Sequence, residues 1–538
     1  MKKIVYTLLA LCILTLSASC NQELLDTTPT TAVSGDFMLE NTEGGFMALN
    51  GTLRFVWRWG QTTTANTHQC FDIQSYALMG DLMGEDMVMA AQGSGWFWFD
   101  YNYNVKSRYT TSSWRSYDAW NYYYTIISQV NYILAAQETM EGAQADIDYI
   151  MGNAYALRAY AYHYLAMTFA RSYIGHEDRL CVPIYTEPSS AGTEGKPRST
   201  NREVYAQAIS DINQAITLLN GKNQMHCSHI DQYVANGIKA RIALYMGDYK
   251  AAYDAASVAV KGGTIAFDKN FHYNDATHSS VLWGAEVITS QGTTNPQFLV
   301  HMDIDYNKGS GYGGRARKCC STELYQQIAD TDLRKDAWWT WQVLADGKTY
   351  GYQQWKFQFA NKAYQGCGKV DDTTTGADHI FMRAAEMQLV MAECQARLGN
   401  EAQAKALLNE LMSSRQPDYD CSDKTGLALG ALTTDKTGSL LEEIILQRRI
   451  ELWGEFGRIY DIKRLRQGFV RTLEMGHPQA DLNVLATNNC HLTDPESFDW
   501  VLTIPQQEMD ANPFMVQNPI GSYASDNYGD DPSLTPAV

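Results

Sequence analysis

The sequence predicts a mainly α fold, in which helical hairpins form a scaffold and an irregular, loop-rich part with short strands packs beside it. Three observations indicate this fold. Long stretches carry apolar residues at helical spacings of three and four. Pairs of Gly with Asn or Asp mark turns between some of these stretches. From about 262 to 377, helical periodicity fades while Gly, Thr, Asn and aromatic residues increase.

The first half of the scaffold is predicted over about 112–260. Helices are expected at Ser112–Met140, Asp146–Tyr173, Asn201–Leu219, Asp231–Met246 and Tyr249–Val260. Thr200 or Asn201 is the expected N-cap of the third helix. Gly247 and Asp248 form the turn between the last two helices. The small residues of these two helices predict that they pack closely together.

The second half of the scaffold is predicted over about 378–467. Ala384–Arg415 repeats the design of helix, short turn and Ala-rich helix, with Gly399 and Asn400 at the turn. This pattern is typical of tetratricopeptide hairpins, although irregular spacing favours repeat-like hairpins within a globular fold over a long solenoid. A last long helix is predicted from about Ser439 to Gln467.

The N-terminus has the pattern of an export signal. Lys2 and Lys3 precede an apolar run from Ile4 to Leu16, which is shorter than the roughly 20 residues of a spanning helix. Small residues then lead to Cys20. We expect residues 1–19 to be a lipoprotein signal peptide, 20–40 a lipidated tether and 41–538 the ligand-binding domain. Cleavage near Ala18 without lipidation is the alternative.

Lipidation at Cys20 would anchor the protein, since each buried methylene contributes roughly 0.8 kcal/mol. Ser17 stands where a lipoprotein signal usually has a branched residue. Nine of the 11 cysteines would remain in the folded part, so complete pairing is impossible. Most are expected to be buried as small apolar residues, and one or two disulfides are compatible with export.

Charge and composition exclude some function classes. The net charge of −18 argues against binding nucleic acid, which requires clustered Lys and Arg. The chain lacks HExxH and CxxC motifs, and Asp303 begins a calcium-like loop that fails because Lys308 occupies its glycine position. We therefore predict no catalytic residues, no metal and no cofactor.

Aromatic residues supply the candidate binding site. The chain has 33 Tyr, 13 Trp and 17 Phe, and the segment GWFWFDYNYN concentrates them. If this segment is extended, alternate residues face opposite sides, and one face is offered to ligand. Its predicted ligand-binding residues are Trp96, Trp98, Tyr101 and Asn102, because Trp stacks on the apolar face of a sugar while Asn binds hydroxyls. An aromatic core beneath the first helix is the alternative.

A second aromatic set lies in the irregular part of the chain. It consists of Tyr306, Tyr312, Trp338, Trp339 and Trp341. These residues are predicted to line the same pocket from the other side, and packing in the core is the alternative.

Carboxylates near Arg residues allow a catalytic or a structural interpretation. Glu455 and Arg458, like Asp461 and Arg464, stand three residues apart on the last helix. This spacing follows the rules for ion pairs on a helix surface, so we favour a structural role. The Asp81, Glu85 and Asp86 cluster is likewise expected to cap a turn or pair with Arg.

Four stretches together resemble the SusD/RagB family of outer-membrane nutrient-uptake lipoproteins. They are CNQELLDTTPT, NAYALRAYAYHYLAMTFA followed by VPIYTEP, LLEEIILQRRIELWGEFGRIYDIKRLRQG, and WVLTIPQQEMDANPFMVQNP. Their order and spacing match across nearly the whole chain after the signal. Gln447 replaces a usual Glu and Leu465 a usual Trp.

The resemblance implies a SusD-like fold with four tetratricopeptide-like hairpins, acting as a hinged lid over a SusC-like TonB-dependent transporter. It also implies an outer-membrane location, facing the exterior. We expect an oligosaccharide ligand. Oligopeptides are the first alternative and a helical glycosidase, which needs two carboxylates about 5–9.5 Å apart, is the second.

Overall fold

A computed structural model of the protein describes residues 38–58, 64, 66–103, 114–190, 192–287, 298–306, 312–345, 348–360, 377–478 and 491–519. Its longer helices are α1 (Thr42–Trp57), α2 (Ile73–Met83), α4 (Trp114–Ala135), α5 (Gln144–Phe169), α6 (Asn201–Leu218), α7 (Gln232–Met246), α8 (Tyr249–Ala259), α12 (Ala384–Arg397), α13 (Glu401–Met412), α14 (Leu440–Glu451) and α15 (Arg458–Leu465). The shorter ones are α3 (Trp98–Tyr101), α9 (Phe298–Met302), α10 (Thr322–Gln326), α11 (Leu333–Trp338) and α16 (Gln506–Ala511).

The strands are few and short. They are β1 (Met87–Met89), β2 (Val281–Ala285), β3 (Lys318–Cys320), β4 (Trp339–Ala345), β5 (Lys348–Gln354), β6 (His379–Arg383), β7 (Phe469–Val470) and β8 (His491–Leu492). Antiparallel pairing gives one sheet in the order β1-β3-β5-β4 and two ribbons, β2-β6 and β7-β8. The predicted mainly α fold with short strands is confirmed.

The hairpins of the scaffold begin and end at the predicted signals. Thr200 and Glu203 form a capping box at α6, and Asp231 accepts hydrogen bonds from the backbone N–H groups of Tyr233 and Val234 at α7. Gly247, with a φ of 78°, ends α7 and allows α8 to fold back against it.

Helix α5 is the centre of the helical scaffold. It is buried on almost every side and packs against α4 and α6. A Cβ atom on Gly152 would lie 2.6 Å from the Leu219 side chain, so only glycine permits this close approach to the end of α6. Arg158 on α5 pairs with Asp211 on α6 at 2.7 Å, and both side chains are buried.

The structure differs from the prediction at the last long helix and at several helices that were not predicted. The expected last helix over Ser439–Gln467 is two helices, α14 and α15, because Gly454 and Gly457 adopt φ angles of 78° and 102° between them. Helices α1 and α2 were not predicted at all. None of the helices in the described ranges combines the length and apolar character needed to cross a membrane.

Candidate functional site

The aromatic segment 96–103 is folded, not extended. Phe97 adopts a left-handed conformation with a φ of 61° before the single turn of α3, and Tyr103 has a φ of 60° after it. The backbone N–H of Phe97 donates to Gln69 Oε1 at 2.7 Å. The expected alternation of faces is therefore wrong, because turns and not a strand set the direction of each ring.

Two predicted residues of this segment, Tyr101 and Asn102, are buried. The Tyr101 hydroxyl lies 2.7 Å from His477 Nδ1, and the Arg471 guanidinium lies over its ring. Asn102 Nδ2 donates to the Trp98 carbonyl at 2.9 Å. Burial, followed by the charge of Arg471, lowers the pKa of His477 to about 3. Both predicted ligand contacts are thus turned inward, where they support the segment from below.

Trp96 and Trp98 are only partly buried. The Trp96 ring stacks on His68 with a centroid distance of 4.3 Å and an interplanar angle of 12°. Tyr312 lies 4.5 Å from Trp96 and its hydroxyl lies 2.6 Å from His68 Nδ1. Phe99, beside Trp98, is exposed. We call His68, Trp96, Trp98, Phe99 and Tyr312 the aromatic platform.

The aromatic platform is rigidly supported and uncharged. Arg115, at the start of α4, donates two hydrogen bonds to Asp100 of α3 at 2.7 and 2.9 Å, and both side chains are buried. Burial lowers the pKa of His68 below its ordinary value, so its imidazole is neutral at pH 7. The platform therefore presents braced rings without a formal charge, which suits a neutral ligand.

The second predicted set is divided between two places. Tyr312 joins the aromatic platform, and Tyr306 packs behind it against Phe359. Both tyrosines are almost fully buried, so they contribute support more than contact area. The structure thus brings Tyr312 against Trp96 and Tyr306 against Tyr312, whereas it places the three tryptophans of the set elsewhere.

Trp338 and Trp339 are core residues and not part of an open pocket. Each is 2% exposed, and Trp339 packs edge-on against Trp453. Trp341, in contrast, is 59% exposed beside Trp355. In a regular strand Trp339 and Trp341 would share a face, but the register of β4 against β5 shifts between Trp339 and Gln342. This irregularity explains why one tryptophan is buried and the other is exposed.

A cleft of about 430 Å³ runs along α4 and was not predicted. Tyr117, Trp120, Tyr124, Ser128 and Asn131 form one wall at helical spacing, and residues of 185–190 and 193–195 with α16 form the other. The walls are tied together, because Asn131 Nδ2 donates to the carbonyls of Tyr185 and Glu187. Sequence spacing could have grouped the residues on α4, but it could not show which segment lies opposite.

The cleft has a mixed aromatic and polar lining. Among the described residues, Asn121 Nδ2 and Gln507 Oε1 are buried atoms with no hydrogen-bond partner, and both residues line the cleft. Its carboxylates belong to Glu187, Glu194 and Glu508. Such a surface can also bind a polar molecule, although it carries negative charge where the aromatic platform has none.

The charged residues of α14 and α15 are buried in ion pairs. Glu451 contacts Arg334, Arg383 and Arg415 at 2.8–3.1 Å, and Glu455 contacts Arg383 at 2.7 Å. Burial alone would raise the pKa of Glu451, but the three arginines, with Arg415 foremost, hold it well below its usual value. A carboxyl group held ionised in this way is unsuited to donate a proton.

The same pairing extends to neighbouring elements. Asp461 contacts Arg464, as predicted, and also Arg448. Arg458 contacts Glu85 and Asp86 instead of the expected Glu455. We call this group the charged layer; its members are Glu85, Asp86, Arg334, Arg383, Glu393, Arg415, Arg448, Arg449, Glu451, Glu455, Arg458, Asp461 and Arg464.

The charged layer accounts for the Arg-rich motif on α14 and α15. Its ion pairs connect these helices to α12, to β6 and to the loop between α2 and β1. The structural interpretation of these charges is confirmed, but they lie in the interior and not on a helix surface. Gln447, the departure from the family pattern, accepts a hydrogen bond from Arg334 and so takes part in the same network.

Comparison with known proteins identifies the class. The SusD family model matches residues 272–521, and a second model, described as starch-binding and associating with the outer membrane, matches 77–244. The chain belongs to the SusD family. The SusD-like protein P38 of Formosa agariphila is 23% identical, and the match covers 67% of this chain and 74% of P38. The SusD-like protein P2 of the same organism is 22% identical, and the match covers 65% of this chain and 71% of P2.

Solved structures show the same fold. A SusD-like carbohydrate binding protein from Bacteroides vulgatus has a TM-score of 0.70 at 24% identity, covering 88% of this chain and 97% of its own. A SusD superfamily protein from Bacteroides thetaiotaomicron has a TM-score of 0.70 at 21% identity, covering 89% of this chain and 100% of its own.

Proposed function

We propose that the protein captures an oligosaccharide at the cell surface and passes it to a SusC-like TonB-dependent transporter. The observation that carries this proposal is the aromatic platform in a chain of the SusD family. Trp96 is braced by His68 and Tyr312 and is only partly buried. A ring that is already held in place loses little conformational entropy when a sugar stacks on it.

The absence of formal charge on the platform favours a neutral glycan over a peptide, whose termini are charged. The carbohydrate-binding relative from Bacteroides vulgatus supports the same ligand class. Isothermal titration calorimetry against pools of neutral polysaccharides and of peptides tests the proposal. We expect heat from at least one glycan pool; binding confined to peptides would contradict it.

Binding is proposed to occur without cleavage. The Arg partners of Glu451 and Glu455 keep both carboxylates ionised, which leaves neither as the proton donor that a glycosidase needs. Incubating the pure protein with the glycan that binds best should release no sugar over many hours. Steady accumulation of shorter products would instead support the glycosidase alternative.

An outer-membrane location is proposed to depend on Cys20, which lies outside the described residues. The family model described as associating with the outer membrane supports this location. Mass spectrometry of the mature N-terminal peptide should find Cys20 carrying diacylglycerol and an acyl chain. Cys20→Ala should release the protein from the membrane fraction, whereas retention there would contradict lipid anchoring.

Association with the transporter is tested separately. Affinity purification of the lipidated protein from membranes of its natural host should recover a TonB-dependent barrel protein in a fixed ratio. Recovery of the protein alone under mild detergent would contradict the proposed partnership.

A further inference from the structure

His226, Cys227 and Glu286 come together away from the aromatic platform and the α4 cleft. One ligand atom from each lies within 4.8 Å of the others. Glu286 Oε2 lies 3.6 Å from His226 Nε2, and Cys227 Sγ lies 3.8 Å from His226 Nδ1. The three side chains belong to the loop before α7 and to the residue that follows β2. A thiol, an imidazole and a carboxylate thus meet at the surface.

The backbone holds these two segments together without any ion. The N–H of Gly284 donates to the Cys227 carbonyl at 3.2 Å, and Trp283 Nε1 donates to the Ser228 carbonyl at 3.0 Å. Gln224 Nε2 donates to the carbonyls of His229 and Leu282 at 2.8 and 2.9 Å. The three donor side chains are therefore placed side by side by the fold itself.

Their spacing is somewhat wider than that of a tetrahedral zinc site. Zinc bonds of about 2.0 Å to nitrogen and 2.3 Å to sulfur place neighbouring donor atoms roughly 3.3–3.7 Å apart. One donor atom of each of the three side chains lies within 4.8 Å of the others, so the side chains must draw closer to share an ion. The His226 and Glu286 side chains are 44% and 49% exposed, so both have room to turn toward a shared ion.

The surroundings of His226 hold its ring in place. Its Nδ1 accepts a hydrogen bond from the backbone N–H of Ser228 at 3.2 Å and lies 2.8 Å from Ser228 Oγ. Its Nε2 faces Glu286 Oε2 at 3.6 Å.

Cys227 differs from the other described cysteines. Cys70, Cys181, Cys319, Cys320, Cys394 and Cys421 are buried, and only Cys227 among the described cysteines is partly exposed. A cation bound to Cys227 Sγ would displace the thiol proton to solvent.

We propose that His226, Cys227 and Glu286 form a binding site for a divalent cation of the zinc class, with a solvent molecule as the fourth ligand. Mixed sulfur, nitrogen and oxygen donors favour Zn²⁺ or Co²⁺ over Ca²⁺ and Mg²⁺, which take oxygen ligands. The ion would join the loop before α7 to the end of β2. This proposal does not depend on the glycan ligand.

Titration of the untagged, EDTA-treated protein with CoCl₂ tests the site. A cobalt–thiolate bond gives a charge-transfer absorption band in the near ultraviolet, and we expect this band to saturate at one ion per chain. ZnCl₂ should then abolish it by displacement. Zn²⁺ should also slow the reaction of Cys227 with a thiol reagent, as followed by mass spectrometry of its peptide.

Substitutions of the three proposed ligands test whether the cobalt–thiolate band arises from this site. Cys227→Ser should remove it, while His226→Ala and Glu286→Gln should each weaken Co²⁺ binding about tenfold or more. His278→Ala is the matched control, because His278 lies 3.5 Å from Asp268 without a thiol and should bind Co²⁺ like the wild type. Thermal unfolding verifies that each variant is folded.

Two results would overturn the proposal. One is the absence of a cobalt–thiolate band in the wild-type protein. The other is a band that persists in Cys227→Ser, which would assign it to Cys20, Cys367 or Cys490. If Cys227→Ser does not fold, the His226 and Glu286 variants decide the question by the same titration.

Discussion

The charged layer and the aromatic platform differ in how completely their groups are partnered. In the charged layer, buried arginines and carboxylates neutralise each other across several helices. In the aromatic platform, Trp96 stacks on His68, and both Trp96 and Trp98 are only partly buried. Groups that satisfy each other stabilise the fold, whereas groups that are braced but incompletely covered are available to a ligand. The number of charged or aromatic residues in a segment does not by itself tell a structural cluster from a binding surface.

The largest effect is expected when the charged layer is broken at its centre. Glu451→Gln leaves Arg334, Arg383 and Arg415 buried without their shared carboxylate. We expect the free energy of unfolding in urea to fall by about 3–5 kcal/mol. Asp254→Asn, which removes an exposed pair with Lys250, is the control and should have little effect. A similar small loss in both variants would contradict a structural role for the layer.

A pair of neighbouring tryptophans gives the second test. Trp339→Ala removes a buried ring and should lower the free energy of unfolding by about 3–5 kcal/mol. Trp341→Ala removes an exposed ring and should change it by less than about 0.5 kcal/mol. Equal losses in urea unfolding would show that the register irregularity in β4 does not separate the two side chains as described.

The contribution of Glu451 should depend on pH. Its pKa is depressed in the folded state, so its stabilisation is present above the unfolded pKa near 4.3 and is lost as the pH falls toward the folded value. The stability difference between wild type and Glu451→Gln should therefore narrow between about pH 5 and pH 3. Urea unfolding across this range measures it, and a constant difference would contradict the ion pairing.

Glycine substitutions test the break between α14 and α15. Gly457 has a φ of 102°, and a Cβ atom there would lie 2.8 Å from the Tyr460 ring. Gly457→Ala should cost at least about 1–2 kcal/mol. Gly51→Ala, in the middle of α1 with open space around it, should instead stabilise the protein by about 0.5–1 kcal/mol. The opposite order in thermal unfolding would contradict the assigned backbone geometry.

Local signals in the sequence predicted most of the helical scaffold. Thr200, Asp231 and Gly247 act at helix ends through contacts with their immediate neighbours, so their positions suffice to place those ends. The break at Gly454 and Gly457 could not be predicted in this way. Both glycines are compatible with a helix, and the groups packed close to them include Phe357 at Gly454 and the Ala77 carbonyl at Gly457, which are far away in the chain.

The candidate site was less predictable than the fold. The sequence suggested one pocket for Trp96 and Tyr312, which the structure has side by side, but it could not tell that Tyr101 and Asn102 turn inward around α3. Nor could the sequence show that Trp338 and Trp339 are buried while Trp341 is exposed, because their exposure depends on a shift in strand pairing. Residue type indicates what a side chain can bind, whereas long-range packing decides whether it is accessible.

The affinity of the Trp96→Ala variant for the best glycan ligand tests the central claim most directly. Phe514→Ala, which removes an exposed ring outside the aromatic platform, is its control, and Tyr185→Ala probes the α4 cleft. We predict that calorimetry will show binding weakened about tenfold or more by Trp96→Ala alone, equivalent to about 1.4 kcal/mol or more, in a protein that stays folded. Unchanged affinity in Trp96→Ala, with binding lost in Tyr185→Ala, would contradict the claim and place the glycan in the α4 cleft.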